Sequence, residues 1–90
     1  KLEIEKFQLI SIYPNPTVDN TVITMYSKDV MDITFLVYND IGELMIDQQK
    51  TLKEGLNEWN ISTEKWAKAV YYFIIKSDAK PITKQVIKLQ

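Results

Sequence analysis

Hydrophobic side chains recur at every second position along much of this chain. In residues 33–38, Ile33, Phe35 and Val37 alternate with the side chains of a second face, and residues 71–76 repeat the pattern. Because successive side chains of a strand point to opposite faces, a period of two is typical of a strand with one more deeply buried face. Further β-rich runs predict strands at residues 9–13, 22–26, 43–47, 56–61 and 82–89.

Turn-forming residues separate these runs. Residues 39–42 (Asn-Asp-Ile-Gly) join two strand candidates, and Gly42 can adopt the positive φ of a hairpin with a bulge. Residues 62–68 are the one helix-tolerant stretch, and they are too short to form a stable helix without tertiary packing. We expect a helical or 3₁₀ turn there that crosses between sheets, with Trp66 closing an end of the core.

The order of these elements favours one fold class. Strands that follow one another without long helices between them pair antiparallel, and about seven short strands are typical of a sandwich. We therefore predict an all-β, Ig-like antiparallel β-sandwich formed by residues 9–90. Residues 1–8 carry four charges and little alternation, so we expect a tail there. Because the chain starts at Lys1 rather than Met, we expect an excised piece of a longer protein or a processed product.

The residue types that are absent limit the possible chemistry. The 90 residues include no histidine and no cysteine, and all eleven basic residues are lysines. This composition excludes Ser-His-Asp and Cys-His nucleophiles, imidazole and thiolate metal sites, and disulfide bonds. Without arginine, and with a net charge of −1, the chain has no feature that attracts nucleic acid or an anionic membrane. We therefore expect no enzyme, no cofactor and no small-molecule substrate.

Two groups of side chains are candidate ligand sites. Carboxylates flank two turns and could bind a weak calcium ion, although aspartates in turns more often stabilise the turn itself. Four aromatic residues could stack on a sugar, although such residues more often close the ends of a small core. The carboxylate pairs are Asp29 with Asp32 and Asp40 with Glu43, and the aromatic residues are Trp59, Trp66, Tyr72 and Tyr26. We favour the structural interpretation for both groups and expect no metal site.

The segment at residues 12–17 (Ile-Tyr-Pro-Asn-Pro-Thr) places two prolines one residue apart at the end of a predicted strand. Proline fixes its own φ and biases the preceding residue toward the extended region. Pro14 and Pro16 also lack amide hydrogens, so this segment cannot continue inside a sheet. It predicts a stiff corner between the first and second strands.

Four motifs in order give this chain a resemblance to a known family. They are residues 13–17 (Tyr-Pro-Asn-Pro-Thr), 39–42 (Asn-Asp-Ile-Gly), 69–71 (Ala-Val-Tyr) and 84–88 (Lys-Gln-Val-Ile-Lys). Over nearly its whole length the chain resembles the C-terminal sorting domain, type A, of type IX (Por) secretion cargo. The resemblance implies a seven-stranded Ig-like domain at the C-terminus of a larger secreted protein from the Bacteroidetes lineage, so that residues 1–8 would be the linker from upstream cargo.

The resemblance also implies roles for single residues. The structural motif residues that it implies are Pro14, Asn15, Pro16, Gly42 and Tyr71. The terminal lysine motif that it implies consists of Lys84, Val86 and Lys88. Ala69 stands where the family typically has glycine, and Glu43 stands where a basic residue is common.

The implied function is export across the outer membrane to the cell surface or the medium. The implied partners are the type IX translocon, a shuttle protein and a sortase-like transpeptidase that removes the domain. We expect these partners to recognise the last strand, through its available backbone groups and through the side chains of Lys84, Val86, Lys88 and Gln90. The lysines of the last strand could instead be solvated charges that protect an edge strand from pairing with other chains.

An edge-strand homodimer is a further expectation. The alternative function is a structural Ig-like domain, such as a stalk, without an export role.

Overall fold

The computed structural model describes residues 6–90, and across that range the regular elements are seven β-strands without a helix. In this described part, no helix is long and apolar enough to cross a membrane. All seven predicted strands are confirmed. Their bounds are β1 Phe7–Tyr13, β2 Asn20–Ser27, β3 Met31–Tyr38, β4 Leu44–Leu52, β5 Gly55–Ser62, β6 Ala69–Lys76 and β7 Ile82–Lys88.

The strands form two sheets that pack face to face. One sheet has the order β1-β2-β5 and the other the order β4-β3-β6-β7, and every pair of neighbouring strands is antiparallel. Alternate side chains of both sheets meet between them, as the period of two predicts. The hydrophobic side chains with no exposed surface include Ile23, Met25, Phe35, Val37 and Val86. The prediction of an antiparallel β-sandwich is confirmed.

Strand β1 begins at Phe7, two residues before the predicted strand. Phe7 pairs with Ser27 of β2, and its ring belongs to the hydrophobic core. The predicted tail, residues 1–8, lies largely outside the described residues. Its role as a linker therefore stays a prediction.

The hairpin between β3 and β4 has the predicted turn. The amide of Gly42 donates to the carbonyl oxygen of Asn39 at 3.1 Å, and the amide of Asn39 donates to the carbonyl oxygen of Glu43 at 2.9 Å. Gly42 has φ +86°, a conformation that residues with a Cβ rarely adopt. A turn followed by a left-handed glycine is the three-residue hairpin loop with a bulge.

Residues 62–68 form no helix, and of the two expected forms, helical or 3₁₀ turn, the single i→i+3 bond found there fits the 3₁₀ one. The connection between β5 and β6 is a single β-turn, in which the amide of Trp66 donates to the carbonyl oxygen of Thr63 at 3.0 Å. One such bond fixes too few residues to start a helix. The connection does cross from one sheet to the other. Trp66 packs at 4.7 Å from Tyr71 and 6.1 Å from Phe73, between ring centroids.

Candidate functional site

The outer edge of β7 is partly covered by the chain that follows β1. Strand β7 lies at the edge of its sheet, where it pairs with β6. After Tyr13 the chain leaves the other sheet, and Thr17 forms a parallel bridge with Lys88. The amide of Thr17 donates to the carbonyl oxygen of Ile87 at 2.8 Å, and the amide of Leu89 donates to the carbonyl oxygen of Thr17 at 3.0 Å. The proline-rich segment therefore connects the two sheets.

The side-chain amide of Asn15 extends this pairing. Its Nδ2 donates to the carbonyl oxygen of Gln85 at 2.9 Å, and its Oδ1 accepts from the amide of Ile87 at 2.9 Å. A primary amide presents a donor and an acceptor, as a peptide group does. Asn15 therefore bonds to β7 as the backbone of a neighbouring strand would. The flanking Pro14 and Pro16, each preceded by a cis peptide bond, have no amide hydrogen to donate.

Three fully buried threonines lie next to this segment. The hydroxyl of Thr17 donates to the carbonyl oxygen of Asn20 at 2.7 Å and lies 2.9 Å from the hydroxyl of Thr63. The hydroxyl of Thr21 donates to the carbonyl oxygen of Pro14 at 2.8 Å. A buried hydroxyl without a partner destabilises a fold. These bonds therefore fix the segment in one position.

Lys88 reaches the same region from β7, and only 1% of its surface is exposed. Its ammonium group donates to the main-chain oxygens of Val18 and Gln90. A buried charge persists in a folded protein only where hydrogen bonds compensate for the lost water. Lys88 therefore ties the end of β7 to the loop between β1 and β2.

The four side chains expected to contact partners differ in accessibility. Lys84 and Gln90 are exposed, whereas Val86 is fully buried in the core and Lys88 is buried as described above. Only Lys84 and Gln90 remain as exposed side chains of that set. The expectation of available backbone groups fails from Gln85 to Leu89, because the segment after β1 occupies that stretch of the edge.

Tyr71 has a structural position at the start of β6. Its hydroxyl donates to the carbonyl oxygen of Ala67 at 2.5 Å. Burial, together with the negative charge of Asp40, raises the pKa of Tyr71 above its ordinary value. A tyrosine that bonds to the backbone just before its own strand is typical of Ig-like sandwiches. Ala69, two residues earlier, does not adopt a positive φ, so the missing glycine imposes no backbone strain.

Two of the four carboxylates considered as calcium ligands bond to neighbouring side chains. Oδ1 of Asp32 accepts from the hydroxyl of Thr51 at 2.7 Å, and Oε1 of Glu43 accepts from the side-chain amide of Asn39 at 2.8 Å. Within residues 6–90, no group of three or more acidic, histidine or cysteine side chains is arranged to hold a metal ion.

The aromatic residues considered as a sugar platform lie on different surfaces. Trp59 packs edge to face on Phe35, with 5.7 Å between the ring centroids. Tyr26 and Tyr72 project from the outer faces of the two opposite sheets, and Trp66 lies at an end of the core. These rings form no common flat strip, so the geometry does not support a carbohydrate-binding surface.

A family model described as "Secretion system C-terminal sorting domain" matches residues 11–89 of the chain. The chain belongs to this family of type IX sorting domains. The match extends from within β1 to the residue after β7, so it contains the proline-rich segment, the hairpin glycine and the terminal lysine motif. No curated protein and no solved structure matched the sorting domain.

The family defines the role of the sorting domain in general terms. It is a type IX sorting signal, it marks a protein for secretion or for export to the cell surface, and it interacts with the secretion machinery. The family is one of sorting signals and not a family of enzymes. The resemblance inferred from four short motifs is confirmed.

Sequence reasoning missed the buried threonines of the sorting domain. A signal was available for Thr21, because it alternates with Ile23 and Met25 and therefore faces inward in β2. Thr17 and Thr63 lie outside any alternating run. Their burial depends on contacts between distant parts of the chain.

Proposed function

We propose that this domain is the non-catalytic C-terminal signal that directs a larger cargo protein across the outer membrane through the type IX translocon. The observation that carries the proposal is the family match over residues 11–89. The fold supports it as well, because a compact sandwich can be recognised independently of the cargo that precedes it.

The proposed contact surface for the translocon and the shuttle protein is the terminal part of β7. Lys84 and Gln90 are exposed there, and Ile87 and Leu89 add exposed apolar side chains on the opposite face of the strand, so the partner would contact both faces. This combination fits a partner groove with an acidic rim and apolar contacts. Lys88 contributes indirectly, by holding the strand in place.

After transport, a sortase-like transpeptidase separates the domain from its cargo, which stays on the cell surface or is released. We propose that the bond it cleaves lies before Phe7, in the linker between the cargo and the domain. Phe7 supports this placement because it is paired in β1, and backbone inside a paired strand is poorly accessible to a processing enzyme.

An export assay tests the proposal. The chain is fused to the C-terminus of a fluorescent carrier with a Sec signal and expressed in a type IX-competent host and in its translocon-deficient mutant. We expect the carrier outside the first host and in the periplasm of the second. Folded domain trapped in the periplasm of both hosts would overturn the sorting role and favour a structural Ig-like domain.

Two lysine substitutions test the contact surface in the same assay. We expect Lys84→Ala to lower export several-fold, because it removes the exposed charge of β7. Lys53→Ala is the matched control, since Lys53 is an exposed lysine in the turn between β4 and β5. Equal export of the two variants would contradict the role of Lys84.

A further inference from the structure

The outer edge of β7 already holds an extended segment of the domain itself. Residues 15–17, here called the latch, run parallel to β7 and form hydrogen bonds along it. Two of these bonds use the main chain of Thr17, and two use the side chain of Asn15. The edge from Gln85 to Leu89 therefore accepts a parallel strand.

The latch makes as many bonds to β7 as three residues of a paired strand would, but half of them use a side chain. In a paired strand, every second residue gives both its amide and its carbonyl group to the neighbour. Only Thr17 does so here, because Asn15 bonds to β7 through its side-chain amide in place of its main chain. A continuous partner strand would replace the Asn15 bonds by main-chain bonds. It would also extend toward Thr83, which has no main-chain partner on this edge among residues 6–90.

Apolar side chains border the latch. Val18, Ile87 and Leu89 are exposed to 42%, 41% and 45%, on the solvent side of the bridge between Thr17 and Lys88. A strand added to this edge would bring its own alternate side chains against Ile87 and Leu89. These neighbours favour a partner strand with apolar residues at alternate positions.

We propose that the edge of β7 from Gln85 to Leu89 is an acceptor site for an extended, apolar strand of a secretion-machinery protein. The latch occupies this site until the partner strand replaces it. That the partner belongs to the secretion machinery rests on the proposed function, whereas the acceptor site rests on the contacts above.

A reversible covalent lock tests whether the latch must open. Val18 and Leu89 directly follow the bridged pair Thr17 and Lys88, and neighbouring strands are spaced closely enough for a disulfide bond. The variant Val18→Cys with Leu89→Cys closes the latch in the oxidising periplasm, and the chain has no other cysteine. The control variant is Val18→Ser with Leu89→Ser.

We expect the locked variant to lose most of its export while the serine control is exported as the unmodified domain is. Export of the locked, oxidised variant at the level of the serine control would overturn the acceptor site. If the unmodified domain itself is not exported, the proposed function fails. The binding experiment described next then tests whether the edge of β7 accepts a strand.

The binding experiment uses the 90-residue chain and a synthetic peptide in which valine alternates with threonine. Asn15→Ala, here called the opened variant, makes the latch easier to displace by removing two of its four bonds to β7, and the disulfide-locked variant keeps the latch closed. We expect the peptide to shift the NMR amide signals of Ile87 and Leu89 in the opened variant and to leave the locked variant unchanged. Equal shifts in both variants, or no shift in the opened variant at millimolar peptide, would overturn the acceptor site.

Discussion

Lys84 and Lys88 project from the same side of β7, yet their surroundings differ. In the register with β6, Lys84 lies opposite Phe73 and Lys88 lies opposite Ala69. Lys84 reaches water, whereas the ammonium group of Lys88 is enclosed by main-chain oxygens. Lys84 is therefore a surface charge, whereas Lys88 is a buried side chain whose hydrogen bonds stabilise the fold.

Lys88→Met removes the buried ammonium group and keeps a long apolar stem. We expect it to lower the free energy of unfolding by about 1–3 kcal/mol, because the main-chain oxygens of Val18 and Gln90 lose their charged donor. Lys84→Met is the control and should change the free energy by less than about 0.5 kcal/mol. Urea unfolding at neutral pH measures both, and equal values would contradict the structural role of Lys88.

Ionisation of Tyr71 makes the free energy of unfolding of the domain depend on pH in the alkaline range. Its pKa is raised in the folded state, so folding favours the neutral phenol. This contribution is complete below the unfolded pKa of about 10 and is lost as the pH rises through the folded pKa. We expect Tyr71→Phe to lower the free energy of unfolding by about 1 kcal/mol at pH 7, since the carbonyl group of Ala67 loses its donor.

The difference between Tyr71→Phe and the unmodified domain should shrink when urea unfolding is repeated from pH 8 to pH 11. Tyr13→Phe is the control, because Tyr13 is 73% exposed and its substitution should have little effect at any of these pH values. A difference for Tyr71→Phe that stays constant over this pH range would show that ionisation of Tyr71 does not contribute.

Strand β1 holds the start of the domain to the core through Phe7. We expect Phe7→Ala to lower the free energy of unfolding by about 2–4 kcal/mol, because it removes a buried ring from between the sheets. Gln8→Ala changes the exposed neighbour in the same strand and is the control. Thermal unfolding of the two variants measures the difference. Equal melting temperatures would indicate that the domain effectively begins at Leu9, as the sequence predicts.

The edge strands also determine how copies of the domain could meet. With the latch closed, the outer edge of β7 from Gln85 to Leu89 is engaged and cannot pair with a second copy there. The predicted edge-strand homodimer would need another edge or an open latch. Both the dimer and the partner strand would therefore depend on the same few hydrogen bonds.

At the scale of the whole molecule, the sequence predicts the structural features that depend on residues close to one another along the chain. Alternation and β-rich runs together predicted all seven strands, and the hairpin followed from Asn39 and Gly42, because period, propensity and turn chemistry are local properties. The burial of Lys88 could not be predicted, since its acceptor on Val18 is 70 residues away. Asn15 was correctly singled out, yet its bonds to β7 required the two sheets to be assembled.

The contact between Asn15 and Gln85 also spans 70 residues, so it joins a segment near the beginning of the fold to a segment near its end. Translation proceeds from the N-terminus at roughly 5–20 residues per second, and domains generally fold as units. The bonds between Asn15 and β7 can therefore form only after roughly seventy further residues have been synthesised. A copy of the domain truncated before β7 would keep the proline-rich segment and lose every acceptor and donor that holds it to the second sheet.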